Sequence, residues 1–352
     1  MAPTDPIALA FTRWIPDLPA ARAWKTLHQQ DRHTPVTIAA LAEALGIPEA
    51  DRPAAFSTAL KHAAEARATA ARSNVALDHP TEATYPPGLA EIADPPLALW
   101  RNGELTDAPH IAIVGSRAAT PTGLRVARAL ARDLATHGYV VVSGMALGVD
   151  GAAHEAAMAA GGRTVAVLGC GIDVVYPWRH RHLAETIPTQ GAILSEVPPR
   201  TAPQAWLFPL RNRIISGLCR AVIVIEATFK SGSLHTARAA LEQGREVLAV
   251  PGDVSAGRSE GCHDLIRDGA RLVEDVGDVL EELEGIPRVP VPARASVPAS
   301  KLESAMARGV GYSLDDLMQQ TARQAPDLLA ELAHLEVAGR ICRTPGGRFR
   351  RE

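Results

Sequence analysis

YVVVSGMALGVDGAAH, residues 139–154, passes from an apolar β-branched run, through a loop that opens on Ser143-Gly144 and holds Gly148, into an alanine-rich segment with helical spacing. A strand, a glycine-bearing loop and a helix make one βα unit, and the same succession recurs on both sides of it. The strand candidates are Ile111–Val114, Tyr139–Val142, Val165–Leu168, Ala192–Leu194, Ala221–Ile225, Glu246–Val250 and Arg271–Val273. They are apolar throughout rather than alternating, as strands covered on both faces must be, so the sheet is mostly parallel. Repeated βα units then predict a doubly wound α/β fold.

Outside this region the pattern changes. Residues 1–75 are rich in Ala and Leu at helical spacing, as in VTIAALAEAL at 36–45, and read as a small helical domain. Tyr85-Pro86-Pro87-Gly88 through Asp94-Pro95-Pro96 is broken by proline and marks a junction inside the α/β domain, 76–286. PRVPVPARASVP carries four prolines and no helical period, so 287–299 reads as a semi-rigid linker. In 300–352, Ser313-Leu314-Asp315-Asp316 looks like a helix cap and Pro326 suits a first helical turn. Leu328, Leu329, Leu332 and Leu335 form one stripe, and Gly339 ends that helix. The basic runs Arg340–Arg343 and Arg348–Arg350 flank a Thr344-Pro345-Gly346-Gly347 turn, and helices followed by a hairpin predict a winged helix-turn-helix.

The bulk numbers exclude several classes. The chain has 352 residues, 47% of them hydrophobic, and can bury a large core. Its formal charge of -3 gives no global sign of a nucleic-acid binder, so any basic surface must be local. Cys170, Cys219, Cys262 and Cys342 lie far apart with no zinc spacing, and read as free thiols in a reducing compartment. No apolar run reaches the length of a membrane span and the start has no signal-peptide pattern, so the expectation is a cytoplasmic protein without a membrane partner.

In a doubly wound sheet ligands sit beyond the carboxyl ends of the strands. There the first strand is followed by Gly115-Ser116-Arg117, where Gly allows close approach, Ser offers a hydroxyl and Arg can fork onto a phosphate. The second is followed by the Ser143-Gly144 loop, leading to a helix whose free N–H groups can hold an anion. After the third, Tyr176-Pro177-Trp178-Arg179-His180-Arg181-His182 sets cations beside aromatic rings, as single-strand binding requires; a solvated helix start with buried aromatics is the alternative. FPLRNRIISG at 208–217 places Arg211, Asn212 and Arg213 just before a short helix, with phosphate binding or, for one arginine, an ion pair to Glu196 or Glu226 as the two readings. Lys230, Ser231 and Gly232 open the helix Leu234–Gln243, again an anion-binding start. His154 and His235 have no nucleophile partner, and Asp253 and Glu260 belong to no recognisable motif. The pattern is that of a site that binds rather than reacts, with no metal, no ATP and no other cofactor: it has neither a zinc cluster nor a GxxxxGK[ST] loop.

Taken together, GSR at 115–117, SGMALGVDGAAH at 143–154, GCGIDVVYP at 169–177, SEVPP at 195–199, FPLRNRIISGL at 208–218, EATFKSGSLHTARAALEQGREVLAVPG at 226–252 and GCHDLIRDGA at 261–270 closely resemble the DNA-processing protein A (DprA/Smf) family. The resemblance implies an extended Rossmann fold that binds single-stranded DNA, protects incoming strands and delivers them to the RecA recombinase in natural transformation. It also implies self-association, usually as a dimer, and a DNA pocket built from Gly115, Ser116, Arg117, the Ser143-Gly144 loop, Arg211, Arg213 and Lys230-Ser231-Gly232. The helical start matches the family's sterile-alpha-motif-like domain in placement, but Ile15–Pro19 lacks the Gly-Ile-Gly type turn of a helix-hairpin-helix. Gly261-Cys262-His263 also departs from the family's small hydroxyl residue and Asn.

Three rival functions are weaker. Phosphoribohydrolases of the LOG type share the strand-end glycines, but the place of their catalytic Glu falls on Ala239. A dinucleotide-dependent oxidoreductase would need GxGxxG after the first strand, which is missing. A protein-interaction scaffold would use the C-terminal winged helix as its contact surface.

Overall fold

The computed structural model describes residues 38–286, except 45, 74 and 81, and residues 300–351, except 308, 338, 339 and 345. Most of the helical N-terminal stretch, the linker at 287–299 and Gly339 therefore lie outside the described residues. The chain divides into two compact units, 1–288 and 289–352.

The first unit starts with helices α1 (Ile38–Ala44) and α2 (Arg52–Ser73). There follow β1 (Ala76–Asp78), α3 (Pro87–Glu91), β2 (Leu99–Gly103), β3 (His110–Gly115), α4 (Pro121–Thr136), β4 (Val140–Ser143), α5 (Val149–Ala159) and β5 (Thr164–Leu168). A short 3-10 turn at Trp178–His180 leads to α6 (Arg181–Gln190), β6 (Gly191–Ser195), α7 (Leu207–Leu218), β7 (Ala221–Ile225), α8 (Ser233–Glu242), β8 (Glu246–Ala249), α9 (Glu260–Arg267), β9 (Arg271–Leu272) and α10 (Val276–Glu284). All nine strands form one sheet in the order β1-β2-β6-β5-β4-β3-β7-β8-β9.

From β6 to β9 every pairing is parallel. β3 sits in the middle, with Ile111 opposite Val141 on one side and Ala221 on the other. The chain thus winds outward in one direction through β4, β5 and β6, and in the other through β7, β8 and β9, and β3 borders the switch point. Alternate strand residues face opposite layers. Ile111 and Ile113 pack with Leu130 and Leu134 of α4 and Ala153 of α5, whereas Ala112 and Val114 pack with Ile214 of α7 and Ala237 of α8. Both faces are covered, which is why the sequence runs are apolar without alternation.

Two strands depart from the sequence reading. β2 pairs antiparallel with β6, Trp100 opposite Ser195, and β1 pairs antiparallel with β2. Their half-polar sequences, closed by the Arg101–Asp78 ion pair at 2.6 Å, carry no buried-strand pattern. α2 lies against this end of the sheet, with Ala63, Ala66 and Ala70 in one core cluster with Leu97 and Trp100. The segment at 208–217, read as preceding a short helix, is instead the helix α7 itself. Pro209 falls in its first turn, where a missing N–H costs nothing, and Ile214 and Ile215 supply its buried face.

The second unit is a winged helix. Its elements are α11 (Lys301–Ala305), β10 (Gly311–Tyr312), α12 (Leu314–Thr321), α13 (Ala325–Val337), β11 (Ile341–Thr344) and β12 (Arg348–Arg351), with the strands ordered β10-β12-β11. Ser313 caps α12 in a reciprocal box with Asp316, and Leu317, Leu328, Leu332, Ile341 and Phe349 make the core. α13, in the position of a recognition helix, contains Asp327, Glu331 and Glu336 and neither Lys nor Arg, whereas Arg343, Arg348, Arg350 and Arg351 lie on the strands.

Candidate nucleic-acid interface

A cavity of about 690 Å³ opens at the carboxyl ends of β3 and β7, beside the switch point. Its wall is formed by Gly115 at the end of β3 with Ser116 and Arg117 after it, Asp150 at the start of α5, Phe208, Arg211 and Asn212 of α7, and Ser231, Gly232 and Ser233 entering α8. Gly115 is required where it stands: a Cβ there would lie 1.9 Å from the Ile225 carbonyl oxygen. The Ser116 N–H donates to that same oxygen at 3.2 Å, which fixes the loop carrying Arg117. Arg117 is exposed and its guanidinium lies 5.3 Å from the Phe208 ring centroid, so a cation is held over the pocket by an aromatic face.

Arg211 is the deepest cation, 6% exposed. One guanidinium nitrogen donates to the Val167 carbonyl, and another nitrogen, Nε, has no hydrogen-bond partner. Burial pushes its pKa down to about 10, with the charge of Asp150 pulling upward and that of Arg117 pushing further down. It stays charged at neutral pH. Asp150 accepts from the N–H groups of Gly144 and Ala146 at 3.1 and 3.2 Å, yet burial still raises its pKa above the usual carboxylate range. Glu226, also on the wall, is occupied by the N–H of Thr120 at 2.8 Å and by the Thr120 hydroxyl. Both acids are thus engaged by the protein.

The sequence-derived residues separate into groups. Gly115, Ser116, Arg117, Arg211, Asn212, Ser231 and Gly232 come together on the cavity, Asn212 donating to the Gly232 carbonyl at 3.3 Å. Gly144 lies under Arg211, where a Cβ would come within 2.2 Å of Nη1. Ser143 does not face a ligand: it is fully buried and its hydroxyl donates to the Ile113 carbonyl at 2.6 Å. Arg213 is also turned away, held by Asp94 at 2.9 Å and Glu196 at 2.6 Å, so of the two arginines it is the one in the internal ion pair. Arg179 and Lys230 are exposed and stand outside the cavity wall.

His154 is a structural group. Its Nδ1 meets the Thr164 hydroxyl at 2.7 Å, and burial lowers its pKa to about 3. Sequence reasoning missed Asp150 as the acid behind Arg211, and Phe208 as the ring beneath Arg117; both lay inside quoted motifs without any signal of spatial partnership. Among the described residues no group of His, Cys, Asp and Glu is arranged to hold a metal ion, and no helix is long and apolar enough to cross a membrane.

A doubly wound α/β unit with two arginines on a cavity beside its switch point, followed by a winged helix, defines a Rossmann-like protein with a nucleic-acid-binding type of second module. The family model for DNA recombination-mediator protein A matches residues 77–284, and that for the DprA winged helix domain matches 291–347. The chain belongs to the DNA recombination-mediator protein A (DprA/Smf) family. It is 42% identical to protein Smf of Escherichia coli over 280 residues, covering 76% of this chain and 75% of that one. It is 46% identical to DNA processing protein DprA of Streptococcus pneumoniae over 202 residues, 57% of this chain and 71% of that one. The X-ray structure of the pneumococcal protein superposes with a TM-score of 0.67 at 38% identity, covering 74% of this chain and 92% of that one. DNA processing protein A from Helicobacter pylori, solved for its single-stranded DNA binding mode, gives a TM-score of 0.54 at 31% identity, covering 60% and 96%.

Proposed function

We propose that this protein binds single-stranded DNA in the cavity at the switch point, shields incoming strands and hands them to the RecA recombinase, acting as a homodimer and without catalysing a reaction. The observation that carries the binding reading is the convergence of Arg117, Arg211 and the Ser231-Gly232-Ser233 helix start on one cavity. Phosphate oxygens would be met there by two guanidiniums and by the Ser231 and Ser233 hydroxyls at the start of α8. The single-stranded DNA named for the Helicobacter relative supports the same ligand. Delivery to RecA and dimerisation rest on the family resemblance, and a cytoplasmic location on the scattered cysteines read as free thiols in a reducing compartment.

Binding rather than catalysis is supported by the acids on the wall. Asp150 is held by two backbone N–H groups and Glu226 by Thr120, so each is tied to the fold, and Ala239 stands where a LOG-type glycosidase would carry its Glu. Gel-shift titration with single- and double-stranded oligonucleotides at two salt concentrations tests the reading. Preference for the single strand, weakening as salt rises, is expected. Equal affinity for the duplex, or turnover of a nucleoside monophosphate, would overturn it.

A further inference from the structure

Four aromatic side chains stand out into solvent among the described residues: Tyr176, Trp178, Trp206 and Phe229, at 43%, 67%, 57% and 63% exposure. All four lie in segments that follow the carboxyl ends of parallel strands: Tyr176 and Trp178 after β5, Trp206 after β6 and Phe229 after β7. Exposed large apolar side chains such as Leu241, Leu272 and Ile286 are aliphatic. Leaving large rings in water is costly unless a ligand covers them, and every nucleobase offers a flat face that can do so.

The rings are also prepared. Arg181 lies 5.1 Å from the Trp178 ring centroid and is itself held by Glu185 at 2.9 Å, so the indole is steadied on one side. Tyr176 and Phe208 pack with centroids 5.6 Å apart, which continues the aromatic surface from the cavity wall toward Trp178. Beside the two outer rings stand Arg179 and Lys230, both exposed and, among the described residues, in no ion pair.

The sheet order sets the direction. β5 and β7 are separated by β4 and β3, so the strands that lead into the Trp178 and Phe229 loops stand three spacings apart, about 14 Å, and the cavity opens beyond their carboxyl ends. We propose that one DNA strand crosses the end of the sheet from the β5 loop to the β7 loop, roughly at right angles to the strands. It stacks a base on Trp178 at one end and on Phe229 at the other, while Arg117 and Arg211 grip the backbone between. This rests on the single-strand reading and deepens it: the ligand is a polymer longer than the cavity, read by ring faces without base preference.

The experiment measures fluorescence anisotropy with two labelled strands of equal length, one with ordinary bases and one made of abasic spacers. The proteins are the wild type, Trp178→Ala, Phe229→Ala and Arg117→Ala. Stacking on each ring predicts a loss of roughly 5- to 100-fold for the base-bearing strand in each aromatic variant, and no change for the abasic strand. Arg117→Ala should weaken both strands. If Trp178→Ala and Phe229→Ala bind the base-bearing strand as the wild type does, the path is wrong while the single-strand reading survives. Equal losses for both strands would also overturn stacking, and failure of the wild type to bind either strand would remove the reading itself.

Discussion

Replacing Arg211 by Met and Asp150 by Asn together should make the protein more stable and a poorer DNA binder. The Arg211 pKa is driven down and the Asp150 pKa up, each in the direction that disfavours its own charge, so their mutual attraction does not repay the burial of either. For Arg211 a fall from 12.5 to about 10 corresponds to about 3 kcal/mol. Losing the hydrogen bond to the Val167 carbonyl returns about 1 kcal/mol, leaving a gain of about 2 kcal/mol. In a unit of this size that raises the melting temperature by about 4–8 °C. The pH dependence has a definite sign. The Arg211 penalty is present at every pH below about 10 and so does not vary between pH 5 and 8. Asp150, with its raised pKa, makes the wild type lose stability as pH rises from the usual carboxylate range through the raised value, and the double variant should lack that slope. Oligonucleotide affinity should fall at least tenfold, since a charge-assisted contact is worth about 1.5–3 kcal/mol. Calorimetric melts across pH, paired with titrations, read both effects. A double variant that melts below the wild type at neutral pH, or binds as tightly, would refute the idea that a poorly compensated charge is kept there for a phosphate.

Other substitutions separate binding from folding. Arg117→Ala, at an exposed position, should leave the melting temperature within a degree or two and reduce the slope of log affinity against log salt by about 0.7, the value of one single-strand phosphate contact. Arg213→Ala removes the partner of two acids and should cost about 3 kcal/mol of stability in denaturant titration, with little change in affinity where the protein is folded. Gly144→Ala forces the Arg211 guanidinium to move and should weaken binding in proportion to that displacement; unchanged affinity would mean Arg211 is not a contact. Binding should persist in the presence of a chelator, and its loss on metal removal would contradict the assignment of the grip to arginines and helix starts.

The parallel strands were legible because covering on both faces leaves an unmixed apolar run, as in Ala221–Ile225, whose bounds the sequence reading and the structure share. β1 and β2 were not, because an antiparallel margin tied by the diagonal Arg101–Asp78 ion pair needs no such run. α7 shows where local rules mislead. The segment reads as preceding a short helix, with phosphate binding or, for one arginine, an ion pair open to Arg211 and Arg213, but residues two apart on a helix do not share a face. One points into the cavity and the other to Asp94 and Glu196. Ser143 fails for a similar reason: as the last residue of β4 its side chain belongs to the sheet interior. The strand-end glycines, by contrast, announced the cavity without any knowledge of three-dimensional contacts.

The acidic α13 has a consequence for the second unit. A winged helix that probes a double helix lowers this element between two phosphate rails, and here it offers Asp327, with Glu331 paired to Arg323 and Glu336 to Arg343 at 3.4 Å, in place of free cations. Duplex phosphates would find no lysine or arginine on that helix, so any grip this unit has on a double helix must come from cations elsewhere, such as its strand arginines.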